Sequence, residues 1–205
     1  MAMAFYRLSE RSIIPGEWGD YGDILEHGMT AHRSRQNDSL RLERTGPYIS
    51  PITFPGLGDI VLTSAARATL ERSGLTGFSF RPVLKKLIVE LHWERWDLTA
   101  SEPAVYPNTG EPEDYLLGGP HSPEAAAVLG DLWELVTNHH VRVNRPQGEY
   151  VVQSNKELWI DLSTWDGADV FRSKDVLYTF VTERGRECFL DSFDRYVAFE
   201  EFQSA

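Results

Sequence analysis

The sequence predicts an α+β fold: a mixed sheet with two similar strand–helix–strand units, at about residues 60–83 and 179–202, and one further helix at about 122–137. The first observation behind this is a repeat. Sliding the chain by 119 positions, Val61 onto Phe180, lays Val61–Val83 on Phe180–Phe202 without a gap. Thr63, Arg67, Ser73 and Phe80 then fall on Thr182, Arg186, Ser192 and Phe199. The second is the shared local chemistry. Each copy opens with a short apolar run, Ile60-Val61-Leu62 or Phe180-Val181, that ends in a threonine able to cap a helix. The third is size. A chain of 205 residues with six tryptophans, eight tyrosines and ten phenylalanines can build a large core. No low-complexity linker divides it, which predicts one α+β domain over 1–205. The repeat reads either as an internal duplication or as two common βαβ-like patterns that coincide.

Within each copy, small and apolar residues at helical spacing mark the inner face: Ala66, Thr69, Leu70 and Ser73, matched by Gly185, Cys188, Phe189 and Ser192. Gly74 supplies a left-handed stop for the first helix. Phe193 stands where that glycine would be in the second copy, so its exit must differ. Each copy returns in an alternating segment, with Phe78 and Phe80, or Val197 and Phe199, on one face. Arg67 and Arg186 match across the repeat off the apolar face, and Glu71 stands four residues after Arg67 as a helical ion-pair partner.

Elsewhere, Phe5-Tyr6-Arg7-Leu8 reads as an opening strand and Leu40-Arg41-Leu42-Glu43 as another. The stretch from Pro15 to Met29 is loop chemistry with one helical turn at Asp23–His27, and glycines and prolines keep Thr45–Asp59 irregular. Leu84–Trp96 is the longest strand expected, with Leu87, Val89, Leu91 and Trp93 on its buried face. Ser101–Pro120 is a loop. Ser122-Pro123-Glu124 starts the further helix, with a capping serine, proline at the first position and an acid in the first turn. Val141–Val143 and Tyr150–Val152 predict a hairpin, and Leu158–Leu162 a strand.

The net charge of −11 argues against nucleic acid and against anionic membranes as partners and suits a basic one. The opening residues hold no long apolar segment and no run approaches a bilayer span, which predicts a cytoplasmic protein. The single cysteine, Cys188, excludes an internal disulfide and a multi-cysteine metal site, and its place on the second helix's core face predicts an inert thiol. Phosphate-binding, esterase and zincin motifs are all missing. The vicinal His139 and His140 diverge on either kind of element and do not suit one ion. No cofactor, metal site or catalytic residue is expected. Two segments mix acids with aromatics: Trp18, Asp20, Tyr21, Asp23 and Glu26 in one, Glu111, Glu113, Asp114 and Tyr115 in the other. Aromatics anchor interfaces and acids complement a basic surface, so these nine residues are the candidate partner contacts. Turns use the same residue types.

Five short pieces carry a family likeness: Phe5-Tyr6-Arg7-Leu8, Leu75-Thr76-Gly77-Phe78, Asp169-Val170-Phe171-Arg172, Val181-Thr182-Glu183-Arg184 and Val197-Ala198-Phe199-Glu200-Glu201. In these the chain resembles the double-CxxCG immunity proteins of bacterial polymorphic toxin systems. It departs from them in having neither CxxCG motif, so no metal site is carried over. The resemblance implies a cytoplasmic, non-enzymatic protein that binds and neutralises a cognate toxin domain, and the acidic balance suits a basic toxin. Two other classes fit the residues: an enzyme that gathers His92, His121 and Asp114 from distant loops, and a non-catalytic adaptor module.

Overall fold

Thr63 and Thr182 each accept a hydrogen bond from the backbone three residues on, Ala66 N–H at 3.3 Å and Gly185 N–H at 3.2 Å. These caps start the two helices of the repeat in the computed structural model, which describes residues 4–14, 18–30, 39–145, 157–173 and 175–205. In order, the elements are β1 (Phe5–Glu10), α1 (Asp20–His27), β2 (Met29–Thr30), β3 (Arg41–Gly46), β4 (Ile52–Thr53), β5 (Val61–Thr63), α2 (Ser64–Arg72), β6 (Phe78–Pro82), β7 (Leu84–Glu90), α3 (Asp114–Leu117), α4 (Pro123–Val128), β8 (Leu132–Thr137), β9 (His140–Val141), β10 (Val143–Asn144), β11 (Trp159–Ile160), β12 (Val170–Ser173), β13 (Thr179–Thr182), α5 (Glu183–Phe193) and β14 (Val197–Ser204). Both strand–helix–strand units are therefore present, as β5-α2-β6 and β13-α5-β14. Gly74 takes its left-handed conformation (φ 69°) after α2. The second copy leaves its helix through a tight turn instead, with Tyr196 N–H bonded to Phe193 O at 2.8 Å.

The likeness of the two copies extends to a third and a fourth strand. One sheet has the order β4-β5-β8-β6, and the run β12-β13-β1-β14 lies within a seven-stranded sheet. In the first, Leu62 of β5 faces Ile52 on one side and Trp133 on the other, in antiparallel pairs. Its counterpart Val181 faces Val170 and Tyr6, again antiparallel. The strand between the two arms of the repeat is β8, from later in the chain, in one copy and β1, from its start, in the other. The arginines follow the same plan. Arg67 lies over the Trp133 ring, 3.7 Å from its centroid, and Arg186 lies 4.9 Å from that of Tyr6. The sequence offers Arg67 its helical neighbour Glu71; the structure sets it against the Trp133 ring of the adjacent strand.

Contacts group the chain into two compact units, one of Met1–Glu10, Thr69–Ser79 and Val136–Ala205, the other of Arg11–Ala68 and Phe80–Leu135. The first is built on Phe5, Phe171, Phe180 and Phe202, with Val141, Ile160 and Leu158 around them. Its polar knot is Asp169, which accepts from Thr76 N–H and hydroxyl, Thr182 hydroxyl and Arg184 guanidinium at 2.9–3.2 Å. All five family-like pieces thus interlock: three meet at Asp169 or its neighbours, and β1, which holds Phe5–Leu8, pairs with β13 and with β14, which holds Val197–Glu201. In the seven-stranded sheet, β10 pairs antiparallel with β11; Tyr150–Val152, the other arm of the expected hairpin, lie outside the described residues.

The second unit carries the main corrections to the elements. The helix expected over 122–137 stops at Val128. Ser122 caps it as expected, accepting Ala125 N–H at 3.1 Å. Gly130 (φ 64°) then reverses the chain, and Leu132–Thr137 becomes a strand because β5 offers it a partner. Lys85 Nζ closes the helix end, donating to Ala126 O at 2.6 Å and Gly130 O at 2.9 Å. β7 ends at Glu90, and Trp93–Arg95 form a short 3-10 turn. Adjacent residues Ile88 and Val89 are both buried, which alternation does not predict. Ile88 packs against Ala125, Ala126 and Leu129, while Val89 fills the space beside Gly119, so both faces of the strand are covered. α1 is longer than the single turn expected, and Arg41–Gly46 pairs parallel with β7. Among the described residues no helix is long and apolar enough to cross a membrane.

Candidate partner-binding surface

The second unit brings the two acid–aromatic segments together. α1 turns Leu25, Glu26 and His27 inward and leaves Asp20 and Asp23 exposed, with Tyr21 half-buried between them. Its inner end sits on Arg44, a fully buried guanidinium that donates to Thr45 O at 2.9 Å, Glu26 O at 3.1 Å and Tyr48 O at 3.2 Å. Burial brings the Arg44 pKa down to about 10, and the nearby Glu26 charge works against that shift. Gly28 has to be glycine here: at φ 73°, an added Cβ would stand 2.5 Å from Arg44 Cβ.

Glu26, expected at the surface, is buried. It has no exposed surface, and its carboxylate accepts from Ser12 hydroxyl and Ile13 N–H, each at 2.9 Å, and Ser50 hydroxyl at 3.3 Å. Burial raises its pKa. Its role is to hold the segment before α1 in place. Trp18 is also buried, packed with Ile14, Leu25 and Trp93, and its indole donates to Ala100 O at 2.9 Å. Acids and aromatics in a glycine-rich stretch do not by themselves reveal which of them turn inward.

The other seven residues lie at or near the surface. From Trp18 a chain of rings runs outward: Trp96 at 5.8 Å, Tyr115 at 5.7 Å from Trp96, Tyr21 at 6.0 Å from Tyr115, and Tyr106 at 5.1 Å from Tyr21. Hydroxyls fasten the loop. Tyr21 donates to Gly110 O, Tyr115 to Val105 O, and Tyr106 to Glu102 Oε2 at 2.8 Å. The Glu102 bond pushes the Tyr106 pKa up to about 12, and burial does the same for Tyr115, so both stay neutral donors. Trp96, Leu98 and Tyr115 pack onto the core under α1, and Leu116 is wholly buried, which explains how a loop rich in proline and glycine keeps one shape. Tyr106 and Trp96 were not among the expected contacts; their place in the ring chain depends on pairings across 75 or more residues, which local pattern cannot supply.

Electrostatically the surface is one-sided. Residues 12–32 and 96–120 contain no lysine or arginine, while the second stretch alone contributes Asp97, Glu102, Glu111, Glu113 and Asp114. Ring faces and carboxylates of this kind attract cations. His92 is placed with Glu90 and Glu94, His121 Nδ1 accepts Ile88 N–H at 3.1 Å, and Asp114 accepts the Thr109 hydroxyl, so the three candidates of an enzymatic reading have separate partners. In the other unit, His139 pairs with Asp166, and the half-buried Cys188 has its pKa raised by burial. Among the described residues no group of three His, Cys, Asp or Glu side chains is placed to hold a metal ion. No protein-family model matches the chain, and no curated protein matches it.

Proposed function

We propose that this protein is a cytoplasmic immunity protein, which binds a basic toxin domain through the acid–aromatic face of its second unit and neutralises it by direct protein–protein inhibition. The observation that carries the reading is convergence. Tyr21 of α1 and Tyr106 and Tyr115 of the later loop, some 90 residues away, form one aromatic cluster built from two stretches of chain that contain no lysine or arginine. Interfaces of this kind are anchored by aromatics and steered by charge. The family-like motifs in the first unit support the toxin-directed form of the reading.

The test is co-expression with the C-terminal domain of the adjacent large open reading frame, scored for growth rescue and co-purification. Rescue with a stable complex is expected. Rescue without a complex would replace binding by an enzymatic role, and no toxicity with no complex would remove the immunity reading.

A further inference from the structure

One groove in the second unit belongs to no structural need described so far. It has a volume of about 570 Å³ and is lined by Val105, Tyr106, Thr109, Asp114, Tyr115 and Leu117 among others. Its rim is apolar. Val105, Tyr106 and Leu117 are 58%, 42% and 55% exposed, and they are three of the eight large hydrophobic side chains that stand most open among the described residues. Gathering three such side chains around one depression is what a docking site looks like before it is covered.

We propose that this groove receives an arginine side chain from a protein partner. The inference rests on the reading above that the face binds protein, and it specifies what the face recognises. Three features select the guanidinium. The hydroxyls of Tyr106 and Tyr115 are turned to Glu102 and to Val105 O, so what these rings offer a ligand is ring rather than hydroxyl. A planar cation stacks on such faces better than a compact ammonium. Asp114 lines the groove with a carboxylate whose Oδ2 already takes the Thr109 hydroxyl; a carboxylate has lone pairs for further donors and is fixed in place by that bond. Val105 and Leu117 match the methylene stem of a long side chain. Charge complementarity fixes the sign of the occupant: Asp114 lines the groove, Glu102 is bonded to the lining Tyr106, Glu111 and Glu113 belong to the same stretch of chain, and no lysine or arginine occurs between Trp96 and Pro120.

The experiment is an NMR titration of the full chain with the tripeptide acetyl-Gly-Arg-Gly-amide, in parallel with its lysine and citrulline counterparts. The expected result is saturable shifts of the Tyr106 and Tyr115 ring signals with the arginine peptide, about tenfold weaker binding of the lysine and citrulline peptides, and loss in Leu117→Lys. Leu117→Lys is the informative variant because that side chain is exposed, so the fold keeps it while a like charge blocks the groove. Asp114→Asn is expected to weaken the arginine peptide about tenfold as well. Absence of shifts, or equal affinity for the lysine or citrulline peptide, overturns the inference. A positive titration alongside failed growth rescue would leave the groove standing and remove only the toxin as its partner.

Discussion

Thr76 and Asp169 are 93 residues apart and hold each other from both sides. Thr76 N–H and hydroxyl donate to Asp169 Oδ2 at 2.9 and 3.0 Å, and Asp169 N–H donates back to the Thr76 hydroxyl at 3.2 Å. Thr182 and Arg184 complete the carboxylate's partners. This one acid ties the loop after α2 to the start of the β12–β13 hairpin and to the cap of α5. Asp169→Ala leaves four donors without their acceptor and is expected to lower stability by about 3 kcal/mol, measured by urea unfolding. Asp169→Asn keeps one carbonyl oxygen and should lose about half as much. A wild-type midpoint in Asp169→Ala would show that solvent replaces the knot.

Gly77 and Gly56 separate backbone conformation from close approach. Both have φ of 98°. A Cβ at Gly77 would stand 2.1 Å from Val170 O, whereas at Gly56 nothing lies within 4 Å. Gly56→Ala should cost about 1 kcal/mol and Gly77→Ala about 3 kcal/mol or more. Equal losses would mean that the loop after α2 yields without penalty.

His27 makes the second unit sensitive to acid. Burial, aided by the Arg44 charge, brings its pKa down to about 4, and among the described residues its Nε2 has no hydrogen-bond partner. The unfolded chain therefore binds this proton first, near pH 6.5, and stability falls as pH drops from there to about 4. The contribution is about 3 kcal/mol across that window. Glu26 works in the opposite direction, since burial raises its pKa and the folded protein takes up its proton first on acidification. His27→Leu should flatten the fall in unfolding free energy between pH 6.5 and 4 relative to wild type. An unchanged slope would assign the acid sensitivity to other groups.

The arginine–aromatic pairs of the two copies are expected to be alike in energy as they are in place. A double-mutant cycle with Arg67→Gln and Trp133→Leu should give a coupling of about 0.5–1 kcal/mol, and Arg186→Gln with Tyr6→Leu a similar one. A coupling near zero in both would reduce the equivalence to geometry.

For the binding face, Asp20, Glu111 and Glu113 can be reversed together without touching the core, because none is buried. Their replacement by lysine should slow association with a basic partner about tenfold or more and flatten its salt dependence, while replacement by asparagine and glutamine should have a smaller effect. Equal rates for wild type and the lysine variant would take these loops out of the interface.

What the sequence determined by itself were the features whose hydrogen bonds close within three or four residues. The threonine caps at 63 and 182, the serine cap at 122 and the left-handed Gly74 are satisfied by their own neighbours, so composition at those positions suffices. The repeat was legible for the same reason, as a succession of such local features, and with it the α+β class. Only the tertiary structure decided what depends on a partner from far away. Leu132–Thr137 carries apolar residues at a spacing that serves either a helix or a strand, and the free edge of β5 selected the strand. β1 and β8 occupy the same place in the two copies although no sequence shift aligns them, because a sheet position is defined by its neighbours and not by chain order. Glu26 and Asp23 are three residues apart on one helix, yet only Glu26 finds Ser12, Ile13 and Ser50 around it and goes inside. The groove between Tyr106, Asp114 and Leu117 exists because ring contacts to Tyr21 and packing over Trp93 hold a loop that its own residues would leave undetermined.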